Sequence, residues 1–194
     1  MMKRIGQVVG EVLALPLLLR YLVLRSIVGP DRALSSVSEH AARRPGLLGL
    51  YARQALYRKL LRGVGSNVHF GYQTLLSKRD ACIGEGVYLG RFCTIGLVEI
   101  GEQTRIADSV QLLSGANHHG SSNRGVNLHA VEQAPIRIGK GVWIGANAVV
   151  MADVDDGAIV GAGAVVTRPV AAGSTVIGVP AKPVALRPSR PQAA

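Results

Sequence analysis

From Ile83 onward a branched aliphatic recurs every six residues, and a glycine usually follows it. The pairs Ile83-Gly84, Leu89-Gly90 and Ile95-Gly96 open the series. It resets by one residue at Ile100-Gly101 and runs on through Ile106-Ala107 to Leu112. After a break it resumes at Ile138-Gly139, Ile144-Gly145 and Val150, then at Val160-Gly161 and Val166. No α-helix has this period, because six residues at about 100° each do not return a side chain to the same face. Short strands winding into a solenoid do have it: the aliphatic points inward, and the small residue after it lets the backbone turn. Repeats of this kind read as a parallel β-helix. One irregularity lies between Val150 and Val160, where two beats take ten residues instead of twelve.

Upstream the pattern is helical. Residues 8–28 are nearly continuously apolar but are interrupted by Glu11, Arg20 and Arg25. The longest charge-free stretch, Val12 to Leu19, is too short to cross a bilayer, and no small-x-small cleavage pattern closes the run. The expectation is a helix lying in a membrane plane, with Arg20 and Arg25 reaching toward headgroups. A helix packed on the solenoid or on a partner subunit, and a true span, are the alternatives. Pro30 and Asp31 begin a second segment that Pro45-Gly46 ends. Leu47 to Leu61 form a third helix, with Leu48, Tyr51, Leu56 and Leu60 on one face and Gly63 and Gly65 as its stop. The chain thus divides into a basic, apolar helical segment (1–66), a solenoid (67–184) and a patternless tail (185–194) expected to be mobile.

Charge sharpens this division. The net charge of +10 sits mostly in residues 1–62, where eleven Lys/Arg face Glu11, Asp31 and Glu39. No groove-reading motif accompanies it, so nucleic acid is not the expected partner, and basic plus apolar points to an anionic membrane surface. The 24 glycines and 4% aromatics suit thin coils filled by Val, Ile and Ala. Cys82 and Cys93 are too few for a disulfide scaffold and are expected as buried small apolar residues, compatible with a reducing, cytoplasmic setting.

The break between Leu112 and Ile136 is polar, rich in Gly, Ser and Asn, and holds His118, His119 and His129, three of the five histidines. Loops on a rigid scaffold are where function concentrates. A histidine near neutral pKa is the natural base for acyl transfer to an alcohol. His118 and His119 are consecutive, so an extended backbone would send them to opposite sides. Asp108, Glu99 and Glu132 are candidate carboxylates to orient a histidine. His69 is read as structural, and Trp143 as an apolar coil residue.

Three runs, Ile136 to Val150, Val160 to Thr167 and Gly178 to Lys182, resemble the signature of the hexapeptide-repeat acyltransferases. That family includes galactoside, maltose, serine and polysaccharide O-acetyltransferases, and the match covers roughly residues 68 to 184. The resemblance implies a mainly β fold, a left-handed parallel β-helix, a homotrimer, and acetyl-coenzyme A as donor. Counting back sixteen residues from Pro135, as in the galactoside enzymes, places the catalytic base at His119, with His118 the alternative. The resemblance assigns the oxyanion to the backbone N–H of Ala146. It assigns the coenzyme to Ala162, Thr167, Arg168 and Lys182, Arg168 standing where the family usually has lysine. The short step after Val150 departs from the family and leaves the local shape of its coenzyme groove open. The histidine spacing does not resemble the three-histidine metal site of solenoid carbonic anhydrases, so no metal is expected. The function expected is transfer of an acetyl group to a hydroxyl of a sugar in a polysaccharide, glycolipid or lipid-linked precursor, at the cytoplasmic face of a membrane. A small soluble acceptor (amino sugar, antibiotic or serine) and a non-catalytic trimeric scaffold are the rival readings.

Overall fold

The computed structural model describes residues 2–114, 120–122, 125–127 and 134–184. Three helices, α1 (Met2–Val28), α2 (Pro30–Ala42) and α3 (Gly46–Leu60), lead into a left-handed parallel β-solenoid of about five turns. Each coil contributes one short strand to each of three faces. On the first face Val64, Ile83, Ile100, Ile138, Val154 and Val170 are stacked in register. Phe70, Leu89, Ile106, Ile144, Val160 and Val176 stack on the second. Leu76, Ile95, Leu112, Val150 and Val166 stack on the third. All of these but the partly exposed Val64 are buried, and full burial of such a side chain contributes roughly 1.5–3 kcal/mol.

The irregular beats have a single location. Steps from the first face to the second, and from the second to the third, are six residues in every coil. The step from the third face back to the first is seven residues from Leu76 to Ile83, five from Ile95 to Ile100, and four both from Val150 to Val154 and from Val166 to Val170. The ten-residue interval after Val150 is therefore one short third corner followed by one ordinary step. The six-residue corners share a device: the residue three positions before each inward side chain has positive φ, as at Asn67, Gln73, Gln103, Ser109 and Asn147. Phe92 does the same at φ 58, where an L side chain costs about 1–2 kcal/mol. The glycines that follow inward aliphatics answer a different demand. A Cβ at Gly145 would lie 2.5 Å from the Ala162 amide nitrogen in the next coil.

The solenoid begins at Gly63–Val64, a few residues earlier than the boundary at 67, because those residues already pair with Cys82–Ile83. Its first coil would present an unpaired edge, and α2 and α3 cover it. Gln54 Nε2 donates to the Val68 carbonyl (2.7 Å), Ser38 Oγ accepts from Leu76 N–H (3.0 Å), and Gln73 N–H donates to the Ala42 carbonyl (3.1 Å). Arg53 is buried with no carboxylate partner among the described residues. Its guanidinium instead donates to the carbonyls of Phe70 (3.0 Å) and Arg44 (2.7 Å), and burial lowers its pKa. Asp31 of α2 completes the cap by accepting from Arg79 N–H and Lys78 Nζ. The N-terminal segment is thus welded to the solenoid through α2 and α3, and α1 packs on their outer side.

Two small expectations change. Cys93 is buried, but Cys82 points outward from the first face and accepts a 2.9 Å hydrogen bond from Arg62 Nε. Trp143 is also outward, 46% exposed on the second face, since the inward position of its strand is taken by Ile144.

Arg53→Met keeps the volume and removes the donors, leaving two buried carbonyls unpaired. Equilibrium unfolding should show a loss of roughly 2–4 kcal/mol. His69, half-buried and stacked on Tyr88 at 4.6 Å, has its pKa lowered first by burial and then by Arg53. A depressed histidine pKa means the unfolded chain binds a proton that the folded one resists. Stability should therefore fall as pH drops below about 6.5. His69→Gln should flatten that part of the profile, measured by thermal unfolding between about pH 7.5 and 5.5.

Candidate active site

The insertion of residues 113–135 leaves the third face after Leu112 and returns to the first face at Ile136, so it occupies the one corner whose length varies. Both of its ends are tied to Leu97. The Leu97 N–H donates to Ser114 Oγ (2.8 Å), and its carbonyl accepts from Ile136 N–H (3.2 Å). Within the insertion, backbone strands Gly120–Ser122 and Gly125–Asn127 pair antiparallel. His118, His119, His129 and Glu132 lie outside the described residues.

The corner between the second and third faces carries a column of residues in register: Tyr72, Arg91, Asp108, Ala146 and Ala162. Each carbonyl from Tyr72 to Ala146 accepts from the next coil, as in Asn147 N–H to Asp108 (3.1 Å) and Gly163 N–H to Ala146 (2.8 Å). The amides of such corner residues point sideways, and carboxylates in the following coil cap several of them. Asp108 Oδ1 accepts from Arg91 N–H (2.8 Å), and on the neighbouring corner Asp156 Oδ1 accepts from Lys140 N–H (2.7 Å). At Ala146 the residue that would supply the cap is Ala162, which has no carboxylate. The Ala146 and Ala162 N–H groups find no acceptor among the described residues, nor do those of Tyr72 and Asp108, so Arg91 alone of this column is capped. An open corner amide is the kind of donor that a developing oxyanion or an amide-bearing ligand needs. The sequence carried this signal as the Asp108–Arg91 and Asp156–Lys140 spacings, against alanine at 162.

The other expected residues fall as follows. Thr167 and Arg168 are exposed on the corner that follows the third face, and so lie across that face from Ala146 and Ala162. Lys182 is exposed on a closing strand, Lys182–Pro183, that folds back antiparallel on Thr175–Ile177. The segment before it bonds to the third face, Ala181 N–H donating to the Val165 carbonyl (2.8 Å). Ala146, Ala162 and the closing segment thus share one corner, while Thr167, Arg168 and the base of the insertion share the next. Of the candidate carboxylates, Asp108 stands in the Ala146 column, bound to Arg91. Glu99 sits on the first face, paired with Arg62 and with Arg137 at 3.7 Å. A groove of about 610 Å³ on that first face, lined by Cys82, Glu99, Arg137 and Asp155, holds Glu99 of the candidate carboxylates and none of the expected coenzyme or oxyanion residues. Its geometry reflects a flat sheet with paired charges, and the column of open amides is the better guide. Among the described residues there is no group of three His, Cys, Asp or Glu able to hold a metal.

Comparison with known proteins agrees with this architecture. Residues 135–168 match the family described as the hexapeptide repeat of succinyl-transferase. The chain is 30% identical over 124 residues to an acetyltransferase of Schizosaccharomyces pombe, and 29% identical over 142 residues to the galactoside O-acetyltransferase of Escherichia coli. These alignments cover 62% and 67% of this chain, but 53% and 66% of the relatives, so the chain spans half to two thirds of their length. Among solved structures, a maltose O-acetyltransferase from Clostridium difficile superposes with a TM-score of 0.69 at 20% identity, covering 79% of this chain and 86% of that one. A galactoside acetyltransferase in complex with coenzyme A superposes at 0.64 and 23% identity, with 80% of each chain covered. At these identities the structural likeness is one of fold. The repeat and the solenoid define a hexapeptide-repeat protein. In its repeat and its solenoid the chain resembles the hexapeptide-repeat acetyltransferases.

The tie at Leu97 predicts that Ser114→Ala will lower stability by about 1 kcal/mol and raise hydrogen exchange at the Leu97 amide, with the Ile136 amide less affected. Equilibrium unfolding measures the first, and mass-spectrometric exchange in peptides covering residues 95–100 and 134–138 measures the two amides.

Proposed function

We propose that this chain is a coenzyme A-dependent O-acyltransferase that moves an acetyl group from acetyl-CoA to a hydroxyl of a sugar in a polysaccharide, glycolipid or lipid-linked precursor. The observation that carries the reading is the open Ala146 amide, left uncapped by Ala162 on a corner where the equivalent Arg91 amide is capped. His119, or its neighbour His118, takes the proton of the acceptor hydroxyl as that oxygen attacks the thioester carbonyl. The Ala146 N–H donates to the oxygen that becomes negative. The C–S bond then breaks, and the imidazolium returns the proton to the thiolate. Ala162, Thr167, Arg168 and Lys182 hold the pantetheine and phosphates. The open amides and the base of the histidine-bearing insertion lie on different corners of one prism. A homotrimer in which His119 of one chain faces Ala162 of the next would join them. The acceptors named are met at the cytoplasmic face of a membrane, where the basic N-terminal segment would hold the enzyme. Relatives named for maltose and galactoside support a sugar over the smaller acceptors.

Two substitutions test this with thiol release from acetyl-CoA as readout. His119→Ala should lower kcat by a factor on the order of 10²–10⁴ with coenzyme binding nearly intact, and His118→Ala should cost far less. Ala162→Asp should rebuild the Asp108–Arg91 cap on Ala146, leaving stability unchanged and turnover abolished. Full turnover in His119→Ala sinks the base assignment, and full turnover in Ala162→Asp sinks the oxyanion role. Light scattering that shows a fully active monomer would overturn the shared site.

A further inference from the structure

α1 has two apolar faces, and the protein uses only one. Ala14, Leu17 and Tyr21 are buried against the other helices, and Gly6 and Gly10 lie flush on Tyr51. On the opposite side Ile5, Val8, Val12, Leu15, Leu19, Val23 and Ile27 follow the helical three-and-four spacing and are 53–72% exposed. At about 100° per residue the two sets lie on opposite sides of the helix axis. Leu47, at the start of α3, is 72% exposed as well. Such a surface is on the order of several hundred Å², at or beyond the largest apolar patch a soluble monomer ordinarily shows.

We infer that this outer face is a lipid-docking surface that lies flat in one leaflet of an anionic membrane. The inference rests on the membrane placement proposed above but not on acyl transfer. Charge identifies the occupant: residues 1–62 carry eleven basic side chains against three acidic ones, and Arg25, Arg32 and Arg43 are exposed. A protein partner would need no such excess, whereas an anionic leaflet attracts it at long range before the aliphatics insert. Packing fixes the orientation. Ile5–Val28 has the length and mean hydropathy, 1.7, of a membrane span. Its inner side, however, is engaged by polar groups of the cap. Arg44 donates to the Leu13 carbonyl (2.9 Å), and Arg20 contacts His40 Nε2 (2.9 Å) and Ser36 Oγ (3.1 Å). To span, α1 would have to leave α2 and α3 or carry their charges into hydrocarbon. Lying in the plane, it buries its outer face and keeps the cap. α1 packs mainly on α2 and α3, and reaches the first coil where Arg79 lies 5.8 Å over the Tyr21 ring, so docking leaves the later coils, with Ala146 and Ala162, clear of the bilayer.

The full chain is tested by flotation with vesicles of phosphatidylcholine alone and with about 30% phosphatidylserine. It should float with the anionic vesicles, less with the neutral ones, and weaken without full release in high salt. Val12→Glu/Leu19→Glu should lower the bound fraction at least tenfold with a nearly unchanged melting temperature, since both side chains are more than half exposed. Orientation is read from single tryptophans placed at 12, 19 and 27 in a Trp143→Phe background, quenched by brominated lipids. Equal, shallow depths support the flat helix, and a depth maximum at the middle position overturns it. Absence of flotation overturns lipid docking. So does a parent chain that fails to bind vesicles but forms oligomers that the double variant dissociates, which would make the face a contact between copies. None of these readouts needs turnover, so an inactive protein that docks would refute only the catalytic reading, and an active one that fails to dock would refute only this one.

Discussion

Successive coils of this solenoid must approach within one strand spacing of each other, and that constraint governs nearly everything else. Backbone hydrogen bonds run along the axis from coil to coil, so each face admits one inward side chain per coil and each corner leaves little room between backbones. An inward Ile, Leu or Val fills the core, and the next residue is kept small because a Cβ there would meet the next coil, as Gly145 would meet Ala162. Two corners hold their six-residue length through residues of positive φ, several of them not glycine. Variation in length is left to the third corner. The insertion with the histidines lies there too, and the ladders on both sides of it keep their register.

The same axial bonding leaves an open edge at the first coil, and the helical segment answers it. Arg53 is the centre of that cap, a buried guanidinium whose donors are met by carbonyl oxygens instead of a carboxylate. A charge so placed is costly unless each donor is matched, so α2, α3 and the first coil must meet together or not at all. α1 is then attached as a second layer, one side committed to protein and the other side apolar toward solvent. The alternatives posed by the sequence for residues 8–28, membrane surface or packing element, were framed as rivals. The structure gives packing to one face and leaves the other unoccupied.

Much of the fold was legible because the inward side chains report directly on the repeat, and helix boundaries fell where Pro30, Pro45 and Gly63 put them. What stayed hidden were features set by neighbours across the axis. The solenoid was expected from residue 67, but its first coil stood outside the counted repeat because Phe70 and Leu76 break the aliphatic-glycine habit, though Phe70 sits in the same ladder as Leu89. The ten-residue step after Val150 seemed a disturbance of the coenzyme groove. It falls on the variable corner, away from Ala146 and Ala162 but on the corner that also carries Thr167 and Arg168. Trp143 read as a core residue, yet in a two-residue strand the inward place goes to Ile144 and the tryptophan must face out. Cys82 failed the buried reading for the same reason, its inward neighbour being Ile83.

The candidate site was legible in its parts and not in its logic. Motif resemblance alone nominates Ala146 and Ala162, two alanines that composition would never single out. Their meaning comes from comparison within the chain. Where aspartate follows at the distance of one coil, the corner amide is satisfied, as at Arg91 and Lys140. Where alanine follows, the amide stays open, and a donor pointing out of a rigid scaffold is already in place before any ligand arrives. A repeat protein can thus make a binding element by omission. The ladder supplies identical amides at every coil, and the side chain one coil later decides which of them is available for chemistry.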